Sequence, residues 1–297
     1  MQGGGRKISA WLGLLHRVGV CSTMIASEFG KPGGASSMKI AFWNINRNKD
    51  VTHVVNLVDR AAPDVLFIAE CSPEIVESLQ SLYRMLVPIV SDKPKVRGFV
   101  VSENLKCLLK HEFKDRLSLY QLTWNSKEFL LGTVHLLPKN NASSQAQSLE
   151  AMKYVHVIQR FEREQRQKNT IIIGDFNMNP FDPGMVSASA FNAVCSPEIA
   201  LKQSRRFQGD NYDYFFNPAW KNYAGIGDEI YGTYYYHAYG MDEFLWNNFD
   251  QVLVRPSILR QYNPKFSVMH DILGFDLRTR NNEVSDHYPI LLELKEK

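Results

Sequence analysis

The chain has 297 residues, 44% hydrophobic and 22% charged, the make-up of an ordinary soluble globular protein of one large or two small domains. No apolar run approaches the ~20 residues of a transmembrane helix, which excludes a helical membrane span. The net charge of +3 is no argument for a nucleic-acid partner, because the excess sits in residues 1–37, where Arg6, Lys7, Arg17 and Lys31 face Glu28 alone. A local basic face stays open, since steering depends on where charge lies and not on its sum.

Four cysteines, Cys21, Cys71, Cys107 and Cys195, are far apart and form no CxxC pair. Buried free thiols in a reducing, cytoplasmic setting are the expectation. Residues 1–37 have little periodicity and contain Gly3-Gly4-Gly5 and Gly33-Gly34-Ala35-Ser36-Ser37. They read as a tag or translated upstream leader, or else a disordered native extension. His16 and Arg17 break the apolar core a signal peptide requires. A single domain is expected over residues 38–297.

Met38 opens a strand running to Trp43. Val51, Val54, Val55, Val58 and Ala62 recur at helical spacing, and Pro63-Asp64 ends that helix. Residues 65–69 form a short apolar run of buried-strand type, leading to Glu70. Ser72-Pro73 suits the N-cap and first turn of a helix whose apolar side is Ile75, Val76, Leu79 and Leu82. Residues 98–102, 118–123 and 129–135 read as strands, the last two joined around Asn125-Ser126. A longer helix follows, with Leu149, Met152, Val155, Ile158 and Phe161 inward and a charged end at 162–168. Then come the β-branched run Thr170-Ile171-Ile172-Ile173, a loop-rich region, and strands at 250–255 and 288–294. The pattern gives α/β or α+β around a large sheet core and leaves the topology open.

Polar residues gather at the ends of these apolar runs. Trp43 is followed by Asn44 and Asn46, Ala69 by Glu70, Val134 by His135, Gly174 by Asp175 and Asn177, and Ser285 by Asp286 and His287. Asp250 begins its own strand. If these ends face one way, they supply the parts of a metal-assisted phosphoester cleavage. Carboxylates hold a divalent cation or address water, an imidazole contacts or protonates an oxyanion, and amides bind phosphate without adding negative charge.

In order and content these residues resemble the endonuclease/exonuclease/phosphatase superfamily. The resemblance runs from about Met38 to Leu294 through Trp43-Asn44-Ile45-Asn46, Glu70, His135, Gly174-Asp175-Phe176-Asn177, Phe249-Asp250-Gln251-Val252 and Ser285-Asp286-His287-Tyr288-Pro289. It implies a four-layer αββα sandwich, two mixed sheets face to face with helices outside and the active site at one sheet edge. It also implies Mg²⁺ or Mn²⁺, with Glu70 as principal ligand, Asn44 and Asn46 beside it and Asp286 as a further carboxylate. Asp175 then orients or activates water and Asn177 holds the phosphate. His287 contacts the scissile phosphate and moves a proton, with Asp250 fixing its tautomer. His135 matches a second phosphate-contacting histidine. Asn46 stands where several branches place Asp, and Glu70 follows Ala69 where Gln is more usual.

Between Arg205 and Phe249 the chain is dense in aromatics, from Tyr212 and Tyr214 to Trp246, with Arg205-Arg206 ahead of them. Either these rings stack the bases of a single strand, with Arg205, Arg206 and Tyr234 as substrate contacts, or they pack a long ordered loop over the sandwich edge. The expected function is a metal-dependent phosphoesterase, foremost a nuclease on DNA or RNA. The alternatives are a phosphatase or phosphodiesterase on a small or lipid phosphate, and a non-catalytic binding protein of the same fold. A nucleic-acid substrate and no membrane are the expected partners; protein partners are not indicated.

Overall fold

The chain divides into residues 1–36 and 37–297. The computed structural model describes residues 37–87, 94–103, 105–139, 142–223, 231–235, 245–274, 276–277 and 284–297. Residues 1–36 of the expected leader, with Cys21, lie outside the described residues, as do Tyr236 and Tyr239 of the aromatic stretch.

The first elements are β1 (Ser37–Asn44), α1 (Val51–Ala61), β2 (Val65–Ala69), α2 (Pro73–Leu82), β3 (Arg84–Leu86) and β4 (Val96–Val100). A meander follows: β5 (Lys106–Phe113), β6 (Leu117–Trp124) and β7 (Lys127–His135). Next are α3 (Ser144–Glu164), β8 (Thr170–Asp175), α4 (Pro183–Val186), β9 (Ala193–Val194), α5 (Pro197–Ala200), β10 (Ser204–Phe207), β11 (Asp210–Asp213) and β12 (Phe215–Phe216). The last are β13 (Tyr234–Tyr235), β14 (Trp246–Asn247), β15 (Asp250–Val254), α6 (Pro256–Gln261), β16 (Tyr262–Val268) and β17 (Ile290–Glu296).

Two mixed sheets result, ordered β16-β17-β1-β2-β4-β3 and β5-β6-β7-β8-β15-β12-β9. Strand alternation sorts their side chains into layers. Ile40, Phe42, Val65 and Phe67 of the first sheet meet Leu131, Ile171, Ile173, Val252 and Val254 of the second in the inter-sheet core. The intervening residues face outward: Ala41, Trp43, Leu66 and Ile68 under α1 and α2, and Leu130, Ile172 and Leu253 under α3. Each buried Ile, Leu or Phe contributes about 1.5–3 kcal/mol relative to exposure. The expected αββα sandwich is the observed fold.

Local signals act as read. Ser72 Oγ accepts from Ile75 N–H and Pro73 opens α2. Asn125 and Ser126, with φ of 48° and 61°, make the two-residue turn from β6 to β7. Three readings are corrected. Leu149 is exposed, and the inward face of α3 is Ala151, Tyr154, Val155, Ile158 and Phe161. Glu162 is no part of a charged solvent end: it is buried and paired with Arg255. Cys71 and Cys107 are free thiols that burial pushes up to about 12, whereas Cys195 is exposed. Strands β5 and β16, at sheet edges, gave no clear alternation because an edge strand faces solvent with residues of either kind. Among the described residues no helix is long and apolar enough to cross a membrane.

Candidate active site

Strand direction brings the polar ends together. β1 runs parallel to β2, which pairs Asn44 with Ala69, and β7 runs parallel to β8, which pairs His135 with Asp175. β15 is antiparallel to β8, so its first residue, Asp250, lies opposite Asp175. β17 is antiparallel to β1, so the Asp286-His287 pair just before it reaches the same edge. Asn44, Glu70, His135, Asp175, Asn177, Asp286 and His287 line one cavity of about 180 Å³ with Pro138, Lys139, Tyr234, Asn247 and Phe249. A larger hollow of about 500 Å³ follows only α3, over His156, Arg160 and Arg163, and holds no acid or nucleophile.

Alternation explains why these side chains point inward. Asn44 continues the inter-sheet face of Ile40 and Phe42, Asp175 that of Ile171 and Ile173, Asp250 that of Val252 and Val254, and His135 that of Phe129 and Leu131. Glu70 follows Ala69 and by parity should face outward. Its left-handed backbone, φ 50°, breaks the alternation and returns the carboxylate to the cavity. For a non-glycine residue that conformation costs about 1–2 kcal/mol. Asn177 is also left-handed, φ 51°. Gly174 permits the close pairing beneath them: a Cβ there would lie 2.1 Å from Val134 O.

Hydrogen bonds fix the acids. Asp175 Oδ1 accepts from Asn177 N–H at 2.8 Å and Oδ2 from Asn44 Nδ2 at 3.3 Å. Asn177 Nδ2 donates to Leu136 O, while Gln147 of α3 donates to Asn177 O. Arg116 Nη1 holds the other side of the loop through His135 O and Leu136 O, each at 3.0 Å. Trp43 Nε1, on the outer face of β1, donates to His287 O at 2.9 Å. Ser285 Oγ donates to Asn44 O and accepts from His287 N–H.

The two histidines are driven apart. Burial opposes charge on His287, but Asp250, whose Oδ2 is 2.8 Å from Nδ1, outweighs it together with Asp175 and Asp286 and raises the ring to about 10. It is therefore an imidazolium at neutral pH, donating Nδ1–H to Asp250 and keeping Nε2–H for the cavity. His135 is held down at about 4, first by burial and then by the neighbouring His287 and Arg116 against the pull of Glu70. Its Nε2 stands 3.8 Å from Glu70 Oε1 and 3.6 Å from Asp175 Oδ2. Burial raises both Asp175 and Asp250.

Among the predicted residues, Asp250 lies behind His287 and out of the lining, and Tyr234 is at the wall, its ring 4.7 Å from that of His287. Asn46 is exposed and outside the lining, its backbone N–H bonded to Asn44 Oδ1 at 3.1 Å. Arg205 and Arg206 lie on the β10–β11 ribbon away from the cavity, and Arg205 Nη2 donates to Val186 O. Several described aromatics of that stretch pack on other rings: Trp246 meets Tyr231, Tyr235 and Tyr288, and Trp220 and Tyr223 meet Phe181.

Sequence reasoning missed Thr233, which is fully buried behind the imidazolium pair. Its Oγ1 accepts from Asp250 N–H at 3.0 Å, its O from Tyr288 N–H at 2.7 Å, and its N–H donates to Asn247 O at 2.8 Å. Gly232 before it leaves the room this needs, since a Cβ would be 2.6 Å from Asn247 O. The Gly232-Thr233 step ahead of the Asp250 strand was the only hint. Lys139 and Asn247, also in the lining, had no signal of their own.

The oxygen donors fit a hard divalent cation. Glu70 and Asp286 supply carboxylates, and Asp286 Oδ1 is buried with no hydrogen-bond partner among the described residues. Asn44 adds an amide oxygen that spends one lone pair on Asn46 N–H. Asp175, Asp250 and His287 also bring ligand atoms within 4.8 Å of one another. His287 Nδ1 already pairs with Asp250 Oδ2 at 2.8 Å. Glu70, Asp286 and Asn44 could hold such a cation without displacing that pair.

Solved structures share this fold. D. rerio TDP2 complexed with a single-strand DNA product matches at 17% identity and TM-score 0.56 over 88% of this chain and 99% of its own. The human Nocturnin catalytic domain with bound sulfate matches at 12% and 0.57 over 88% and 95%. An endonuclease/exonuclease/phosphatase family protein from Bacteroides thetaiotaomicron matches at 15% and 0.57 over 88% and 98%. No curated protein sequence matches significantly. Residues 41–287, the span from the first strand to the imidazolium at the cavity, match the model of the Endonuclease/Exonuclease/phosphatase family, and the chain belongs to that family.

Proposed function

We propose that this protein is a divalent-metal-dependent phosphoesterase and, within that class, a nuclease. One observation carries the reading: the carboxylates of Glu70, Asp175 and Asp286 share a cavity with an imidazolium whose charge Asp250 sustains. A phosphodiester anion needs such a balance, because it must be approached by a nucleophile and relieved of charge as it breaks. A bound Mg²⁺ or Mn²⁺ on Glu70, Asp286 and Asn44 would polarise a phosphoryl oxygen. Asp175, oriented by Asn177 N–H and Asn44 Nδ2, aligns the attacking water and accepts its proton. His287 Nε2–H meets the phosphate oxygen that gains charge, with Asp250 holding the ring. Asn177 and neutral His135 complete the phosphate contacts.

Nucleic acid is the favoured substrate. A DNA product accompanies one structure of the same fold, and another is the endonuclease domain of the TRAS1 retrotransposon. The test is to incubate the protein with plasmid, single-stranded DNA, RNA and bis-p-nitrophenyl phosphate, with Mg²⁺ or with EDTA. Cleavage that requires Mg²⁺ is expected on at least one nucleic acid. Absence of metal-dependent cleavage across the panel overturns the reading.

A further inference from the structure

The cavity has two unlike ends. Glu70, Asn44 and Asp286 make one, and Pro138, Lys139, Tyr234, Asn247 and Phe249 make the other. Among the described residues of the lining, Lys139 is the only lysine or arginine. It is not an ordinary surface lysine, which would carry its ammonium freely into water. Its side chain is 27% exposed, with Nζ 3.2 Å from Asp182 Oδ2 and 5.7 Å from the centre of the Phe249 ring. Asp182 is itself fixed, since the same oxygen accepts Asn179 N–H at 2.8 Å. The Phe249 ring stacks on Tyr234 at 5.2 Å, and Tyr234 meets His287 at 4.7 Å. Lys139, Phe249, Tyr234 and His287 thus form a run of neighbouring contacts along the lining of the one cavity.

An ammonium has three N–H donors, and an ion pair with one carboxylate oxygen does not exhaust them. Holding the stem in place removes most of the entropy a free lysine loses on binding an anion.

We propose that Lys139, held by Asp182, binds a second phosphate next to the scissile one and makes this site select polyanionic substrates. The inference rests on the phosphoesterase reading and adds a substrate preference: a chain of phosphodiesters over an isolated one.

The experiment measures kcat and KM of the full chain with Mg²⁺ on a single-stranded oligonucleotide and on bis-p-nitrophenyl phosphate, across a salt series. Lys139→Met is expected to raise KM for the oligonucleotide roughly tenfold more than for the small diester, as the loss of a charged hydrogen bond to phosphate implies. The slope of log KM against log salt should shrink by about 0.7, one phosphate contact on a single strand. Lys139→Arg should restore most of both. Equal changes on the two substrates, or an unchanged salt slope, overturn the proposal and leave a loop staple. If the unaltered chain cleaves neither substrate, the phosphoesterase reading itself fails, a result distinct from an active enzyme indifferent to Lys139. Melting temperatures of the variants separate unfolding from lost selectivity, and Lys139→Gln, which also removes the charge, keeps the test decisive if Lys139→Met does not fold.

Discussion

Two buried ion pairs, Arg255–Glu162 and His287–Asp250, sit in the same sheet sandwich and are built to opposite ends. Arg255 donates to both carboxylate oxygens of Glu162, at 2.8 and 3.0 Å, and to Asp213 O and Tyr214 O, with its guanidinium 3.7 Å from the Phe215 ring centre. Thr170 Oγ1 completes Glu162. Each guanidinium nitrogen and each carboxylate oxygen has a hydrogen-bond partner within this cluster, which ties α3 to β8 and β15. His287–Asp250 is also buried but unfinished: Asp250 Oδ1 has no hydrogen-bond partner among the described residues, and the imidazolium borders the cavity. A pair closed on itself fixes the fold, and one with capacity left over can act on a substrate.

The difference can be broken by mutation. The largest expected effect is on activity. Glu70→Ala and His287→Ala should each lower metal-dependent kcat by ~10³-fold or more while leaving the far-UV circular dichroism unchanged. Activity within tenfold of the parent in either variant would refute the assigned site.

Stability should rank the other way. Glu162→Ala strands a guanidinium that keeps its charge and should cost about 3–5 kcal/mol in urea unfolding, with kcat of the folded protein nearly unchanged. His287→Ala leaves Asp250, a carboxyl that burial already pushes toward its neutral form, so its cost should be smaller. Equal unfolding losses in the two variants would erase the distinction.

The smallest effect sharpens the comparison. Thr233→Val keeps shape but removes the acceptor for Asp250 N–H. A loss of about 1–2 kcal/mol and a fall in kcat with little change in KM are expected, with Thr233→Ser restoring both. A change in KM alone would place Thr233 in binding and not in holding the imidazolium pair.

Much of this was legible before the fold was known. Asn44, His135, Asp175 and Asp250 each extend an alternating apolar run by one inward position, so strand parity alone aims them between the sheets. Glu70 breaks that parity, and only its left-handed backbone shows how it returns. Glu162 read as part of a charged helix end because its partner, Arg255, is 93 residues away. Asn46, Arg205 and Arg206 have the right chemistry in the wrong place: an exposed turn and a remote ribbon. Within the aromatic stretch, Trp246 and Tyr235 pack on each other while Tyr234 and Phe249 wall the cavity, a division that residue type along the chain does not reveal.

The sequence by itself determined the strands, the capped helices, the order of the polar strand ends and hence the family, because those depend on alternation, capping and short spacings along the chain. Tertiary structure alone decided which ends meet, which histidine carries charge, and that Thr233 and Lys139 belong to the site. Those outcomes rest on burial and on contacts between distant segments, such as Trp43 with His287 across 244 positions, and no local pattern encodes a partner that far away.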